Sequence, residues 1–373
     1  VTARRDAFVD GVLRGGDTGF GATLLRVLLT PLAGLHCAGL EAYLLPFRVG
    51  LRRRFRLRNA DGSPVPTLAI GNLSSGGTGK TPMAQLVAGH FQESGKRVVL
   101  LSRGHGGSGE AGSGPCIVSD GDSVLLGADA AGDEPVLLAQ SLPGVPVIVG
   151  RDRRQSGRLA LATFAPEVVV LDDALQYWQL HRDLDIVLLD ARRPLDNGYV
   201  LPRGLLREPP SHLARADIVV LTRADHAAHA DIARTRARIA ALAPRALVFT
   251  AIHAPMGWVR ASDRALLPLD ALPTGRAILF SAIADNDGFR RTVEALGVEI
   301  ASPQCFPDHH AYLRGEIAAL SGAGGSFAVT TEKDLVKAAP LWPAAGPPLY
   351  ALRIGMKIDD EAGFFARLDK DPS

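Results

Sequence analysis

The chain has 373 residues, 47% hydrophobic and 21% charged, which excludes wholesale disorder and leaves room for two domains. Its net charge of +2 hides an asymmetry: residues 1–60 carry ten Arg against four acids, a local +6 that leaves −4 for the remainder. The three cysteines, Cys37, Cys116 and Cys305, are far apart and lack metal-ligand spacing, so neither a disulfide framework nor a cysteine metal site is expected.

From Ala22 to Phe47 the chain is mostly apolar, interrupted by Arg26, His36 and Glu41. Only fourteen residues separate Arg26 from Glu41, short of the ~20 that cross a bilayer. Arg48, Arg52, Arg53, Arg54, Arg56 and Arg58 follow, the reverse of a cleaved signal peptide's order of charge before apolar core. The pattern predicts an interfacial helix with its apolar face in a membrane. A buried core helix and a spanning helix stay open as alternatives. Arginines beside an anionic leaflet gain on the order of 1 kcal/mol each.

Val65 to Ile70 reads as a strand and Pro82 onward as a helix. Between them stands Gly71-Asn72-Leu73-Ser74-Ser75-Gly76-Gly77-Thr78-Gly79-Lys80-Thr81, a phosphate-binding loop in its required strand–loop–helix setting. Glycines let successive N–H groups turn inward on phosphate oxygens, and the helix start adds partial positive charge. Gly76, Gly77, Thr78, Gly79, Lys80 and Thr81 are the expected nucleotide contacts, with Lys80 on the β and γ phosphates and the Thr81 hydroxyl on Mg²⁺. The usual loop has glycine where this one has Ser74.

Further strands are predicted at 97–101, 145–149, 167–171, 184–189 and 217–221. Short continuous apolar runs of this kind indicate a parallel sheet covered on both faces, with ligands at the C-terminal strand ends. There stand Arg103, Arg153 and the pair Asp172-Asp173, an acidic strand end suited to Mg²⁺. Asp133 opens a predicted helix, where an acid most often caps. Composition changes near residue 225, and strands at 246–251, 277–281 and 327–330 suggest a second, smaller α/β domain. Its Phe306-Pro307-Asp308-His309-His310 lacks a third metal ligand and suits an Asp–His pair in proton transfer. Arg207, in Leu206-Arg207-Glu208-Pro209, is placed for a phosphate or a carboxylate.

Taken together these motifs resemble the tetraacyldisaccharide 4′-kinase family of lipid A biosynthesis. The resemblance runs over about residues 20–355 and also rests on Ser102-Arg103-Gly104, Gly132-Asp133-Glu134-Pro135, Arg151-Asp152-Arg153, Asp172-Asp173-Ala174-Leu175-Gln176 and Thr330-Thr331-Glu332-Lys333-Asp334. It implies an α/β fold: a P-loop-containing α/β/α sandwich with a second α/β domain and a membrane-associated N-terminal helix. The expected divisions are 1–58 for the helical segment, 59–225 for the kinase domain and 226–373 for the smaller domain closing the active-site cleft. It also implies transfer of the ATP γ-phosphate to the 4′-hydroxyl of an acylated glucosamine disaccharide 1-phosphate, in a Gram-negative bacterium, on the cytoplasmic face of the inner membrane. By the same resemblance Asp133 is the base, acting with His309. Asp172, Asp173 and Glu208 lie near Mg²⁺, while Arg103, Arg153 and Arg207 contact phosphates. No nucleic-acid partner is expected. His105, Ala174, Tyr177, Arg203 and Leu205 depart from the family's usual residues. The loop also resembles that of partitioning and metal-insertion switch ATPases, an alternative that predicts hydrolysis without a lipid acceptor.

Overall fold

The computed structural model describes residues 11–13, 16, 19–104, 107, 114–308 and 310–370. His105 and His309 lie outside the described residues. In chain order come α1 (Phe20–Arg48), β1 (Thr67–Asn72), α2 (Lys80–Glu93), β2 (Val98–Ser102), β3 (Cys116–Ser119), α3 (Ala128–Ala131), α4 (Asp133–Ser141) and β4 (Val147–Val149). Next are α5 (Arg153–Phe164), β5 (Val168–Leu171), β6 (Leu184–Asp190), β7 (Ile218–Thr222), α6 (His229–Leu242) and β8 (Leu247–Arg260). The chain then forms β9 (Leu266–Leu267), β10 (Ala277–Ser281), α7 (Asn286–Ala295), β11 (Ile300–Cys305), α8 (Arg314–Ser321), β12 (Phe327–Thr331), α9 (Glu332–Ala338), β13 (Leu349–Ile358) and α10 (Glu361–Leu368).

Two compact units result, and both are discontinuous. The first comprises Val1–Arg103, Asp152–Ile252 and Lys357–Ser373; the second comprises Gly104–Arg151 and His253–Met356. This grouping differs from the expected segments 1–58, 59–225 and 226–373. Residues 104–151 leave the phosphate-loop domain for the second unit, while 226–252 and 357–373 join the first.

In the first unit the parallel sheet runs β2-β5-β1-β6-β7-β8. β1 lies between β5 and β6, with Ala69 opposite Leu171 and Ile70 opposite Ile186. All six of its residues are buried. A strand covered on both faces needs a near-continuous apolar run, and Leu68-Ala69-Ile70 supplies it. The C-terminal ends of β1 and β5 are therefore neighbours, which sets the phosphate loop beside Asp172-Asp173.

The second unit holds the parallel set β11-β10-β12-β13, the antiparallel pairs β3–β4 and β8–β9, and α4 packed against α9. Its core includes Trp258, Phe280 and Phe327, all nearly inaccessible. β3, β11 and β13 lie outside the predicted strands. β11 is an edge strand carrying Ser302, Pro303 and Gln304, without the apolar alternation that marks a half-buried strand.

α1 is 29 residues long and continues through Pro31 and Pro46. It is long and apolar enough to cross a membrane by length and composition, although Arg26 and Glu41 interrupt it. Only 6% of its most apolar window is buried, so it is not a core helix. Ala33, Leu44 and Phe47 face the protein, while Phe20, Val27, Leu28 and Leu35 are at least 60% exposed.

Candidate active site

The phosphate loop is held at several points within the first unit. Asn72, fully buried at the end of β1, donates from Nδ2 to the Gly76 carbonyl at 3.2 Å and to Thr78 Oγ1 at 3.0 Å. The Thr222 hydroxyl donates to the Thr78 carbonyl at 3.0 Å. From the other side, Ser75 N–H donates to the Leu205 carbonyl at 2.7 Å and Arg207 N–H to the Leu73 carbonyl at 2.6 Å. Gly79 adopts a left-handed conformation, φ +89°, and α2 begins at Lys80. A side chain at Gly79 would be strained there. At Gly71 the constraint is contact: an added Cβ would lie 2.5 Å from Leu175 Cβ.

Lys80 and Asp173 form an ion pair at 3.9 Å, and Arg207 Nη1 donates to Asp173 Oδ1 at 3.0 Å. Asp173 itself has φ +46°, a strained conformation for a side-chain-bearing residue, held at the strand end beside the loop. Asp172 is 1% exposed and accepts a hydrogen bond from the Ser102 hydroxyl at 3.3 Å. Arg153 is also buried. Burial lowers its pKa, Asp172 and Asp173 oppose that, and Arg103 adds repulsion. The structure thus brings Lys80, Arg103, Arg153, Asp172, Asp173 and Arg207 into one electrostatic neighbourhood.

Thr81, Asp172 and Asp173 offer only oxygen donors, the donor set Mg²⁺ prefers. Mg²⁺ keeps several waters and takes one or two carboxylates, so this set fits the ion without a wholly protein cage. Among the described residues no group of three or more His, Cys, Asp or Glu side chains is arranged to hold a metal.

Glu208, expected near Mg²⁺, has both carboxylate oxygens engaged elsewhere. Arg215 donates to them at 2.6 and 2.8 Å, and the His212 ring meets one at 2.7 Å. Burial alone would raise the Glu208 pKa; His212 and Arg215 outweigh it and hold the carboxyl down at about 2. The other ring nitrogen of His212 meets Glu41 of α1 at 2.6 Å, and His36 of the same helix meets the Arg207 carbonyl at 3.3 Å. In this geometry Glu208 is an anchor for the 205–215 loop and for α1. Sequence reasoning missed that role because His212 and Arg215 lie four and seven residues further along, in a short 3-10 segment that carries no motif.

Tyr177, one of the departures, has a local function. Its hydroxyl donates to Asp152 at 2.7 Å, and Asp152 also caps α5 through Arg154 N–H. Burial and that bond push the phenol up to about 12.

Asp133 belongs to the second unit, at the start of α4. Its Oδ2 lies 3.9 Å from Lys333 Nζ and 4.0 Å from Lys337 Nζ, and Lys333 reaches Asp308 at 3.5 Å. Lys337 also donates to the His310 carbonyl at 2.9 Å. His310 stacks on Phe306 and pairs with Glu316 at 2.9 Å, so it is oriented within this unit. The two lysines were not anticipated as neighbours of Asp133. Their spacing, i and i+4 on one helix, is the signal that they share a face.

The chain matches the family described as LpxK, tetraacyldisaccharide-1-P 4′-kinase, over residues 25–372. It is 40% identical over 341 residues to the tetraacyldisaccharide 4′-kinase of Syntrophus aciditrophicus, covering 87% of this chain and 90% of that protein. The enzyme of the same name from Geobacter sulfurreducens is 39% identical over 362 residues, covering 95% and 96%. A crystal structure of LpxK from Aquifex aeolicus, an "apo" form in complex with ATP, superposes with a TM-score of 0.74 at 30% identity, covering 92% of this chain and 98% of that one. Motif order, loop geometry and similarity along nearly the whole length agree, and the chain belongs to the tetraacyldisaccharide-1-P 4′-kinase family.

Proposed function

We propose that this protein transfers the γ-phosphate of ATP to the 4′-hydroxyl of a tetraacylated glucosamine disaccharide 1-phosphate, at the cytoplasmic face of the inner membrane. The observation that carries the reading is the braced phosphate loop with Lys80, Asp173 and Arg207 gathered at its mouth. Lys80 and the loop N–H groups neutralise charge on the transferring phosphoryl group. Arg103, Arg153 and Arg207 add fixed positive charge, and the pairing of Lys80 and Arg207 with Asp173 holds both side chains ready for a phosphate. Mg²⁺, when bound through Thr81 and the Asp172-Asp173 strand end, supplies further neutralisation of the phosphates. An alcohol is a weak nucleophile at neutral pH, so a carboxylate must orient it and accept its proton. Asp133 takes that role, with Lys333 and Lys337 fixing its carboxylate and His309 assisting. The exposed apolar residues of α1 hold the enzyme at the bilayer, where its lipid substrate resides. Family membership removes the support for the switch-ATPase alternative. The direct test is radiolabelled γ-phosphate transfer to acylated disaccharide 1-phosphate. Lys80→Ala should retain less than about a tenth of the wild-type rate, and greater retention would count against this assignment of the loop.

A further inference from the structure

A cavity of about 460 Å³ opens in the first unit just beyond the end of α1. Arg52, Arg53, Arg54, Arg56 and Arg58 line one side, and Arg154 and Arg158 of α5 the other. Among the described residues, no acidic one lines it. Arg56 is paired with Asp183 and Arg154 with Asp152. The remaining five, Arg52, Arg53, Arg54, Arg58 and Arg158, form no salt bridge to a carboxylate among the described residues.

The cavity is built rather than incidental. Phe55 is pinned by N–H donation to the Gln179 carbonyl and by accepting from His181 N–H, both at 2.8 Å. Leu57 is wholly buried against Gly157, where an added Cβ would lie 2.5 Å from a Leu57 methyl. Gly157 thereby lets the Arg154–Arg158 face of α5 approach the arginine segment. Three guanidiniums rest on aromatic rings: Arg52 over Phe47, Arg54 over Trp178 and Arg158 over Phe55, at 4.7–5.0 Å. Stacking holds a guanidinium plane while leaving its edge free to donate. Burial, then repulsion from Arg182, disfavours the charge on Arg54; Asp185 opposes this and Arg215 adds to it, and the net direction is downward.

We propose that this cavity binds the phosphate group of an anionic lipid headgroup, with Arg52, Arg53 and Arg158 supplying the donors. A cluster of uncompensated guanidiniums favours a compact, multiply charged oxyanion, because each fork can take two of its oxygens. Lipid is the source that the surroundings favour. Phe47, the last aromatic of α1, lines the cavity, and the helix it closes exposes a run of apolar side chains. A headgroup seated here has its acyl chains beside a surface already suited to them. The inference rests on the membrane-associated reading of α1, and it is separate from the nucleotide site.

The test uses the full chain and calorimetric titration with dihexanoyl phosphatidic acid below its micelle concentration. One saturable site is expected, with none for dihexanoyl phosphatidylcholine. Arg53→Gln with Arg158→Gln, both at exposed positions, should weaken binding about tenfold or more, since hydrogen bonds to charged groups are lost. Lysine at both positions should restore only part of the affinity, because it returns charge without the fork. Lys80→Ala should leave this binding unchanged. Absence of saturable binding, or an unchanged affinity in the glutamine variant, would overturn the site. Inorganic phosphate binding as tightly as the lipid would overturn the lipid source. Sedimentation with phosphatidylcholine vesicles, with and without phosphatidic acid, separates the two readings. Vesicle binding that persists while short-chain phosphatidic acid fails to bind rejects the cavity and keeps the helix. Saturable short-chain binding with no vesicle attachment keeps the cavity and rejects the helix.

Discussion

Replacing Glu208 by glutamine tests whether that residue anchors the loop or serves the metal. The carboxylate is 1% exposed and accepts from Arg215 at 2.6 and 2.8 Å. Its folded pKa of about 2, against an ordinary 4.5, corresponds to about 3 kcal/mol of stabilisation above pH 4.5. Glutamine keeps the shape but removes the nearer counter-charge of the part-buried Arg215, leaving Asp185 at 3.9 Å, so the cost falls at the lower end for buried pairs, about 3 kcal/mol. For a unit of this size that is a fall in Tm of roughly 6–12 °C at pH 7. The pH dependence has a definite sign. A depressed carboxyl contributes fully above its unfolded pKa and loses that contribution as pH falls through the folded value. The gap between wild type and Glu208→Gln should therefore be constant down to about pH 4.5 and narrow towards pH 2. Thermal melts followed by circular dichroism across that range measure it. A variant that melts with the wild type at pH 7 but needs more Mg²⁺ for activity would refute the anchor and restore the metal role.

Asp133→Asn should lower turnover by about 10²–10⁴-fold with nucleotide affinity little changed, as measured by steady-state kinetics and ATP titration. Adding His309→Ala should cost little more than the worse single change if the two act as a unit, whereas multiplicative losses would show independent action. Val27→Ser with Leu28→Ser on the exposed face of α1 should weaken vesicle sedimentation and raise the apparent KM for lipid substrate. It should leave turnover on a detergent-dispersed short-chain substrate near the wild-type value, and unaltered vesicle binding would remove the apolar face from membrane docking.

The parts of the site that follow one strand were legible in the sequence. β1, the phosphate loop and the start of α2 follow one another without interruption, and each carries its own signal in apolar run, glycines and Lys-Thr-Pro. The Asp172-Asp173 end of β5 was equally plain. Residues joined only by tertiary packing were not. Lys333 and Lys337 come to Asp133 across some two hundred residues of sequence, because α9 packs on α4. The grouping into units departs from the expected segments for a related reason. A change of composition marks one place along the chain, whereas each unit here gathers separated segments. β8 runs 14 residues, past residue 251 where the predicted strand ends and through Pro255 and Gly257, residues that ordinarily interrupt a strand. Glu208 shows the converse: its motif was recognised, but its partners, not the motif, set its state.

The makeup of the first unit bears on the order in which the protein can be made. Its last helix, α10, buries Phe364 completely, sets Phe364 edge-on to Phe249 at 5.5 Å and stacks Phe365 on His90 of α2 at 4.2 Å. The helix that follows the phosphate loop thus receives part of its packing from residues that leave the ribosome long after it. At ordinary rates of synthesis, roughly a quarter of a minute to a minute separates the emergence of α1 from that of α10. Throughout that interval α1 already presents its exposed leucines, while the sheet that will carry the chemistry is incomplete. A nascent chain can thus be delivered to a bilayer before it is able to act on anything there, with enzymatic competence withheld until α10 has emerged.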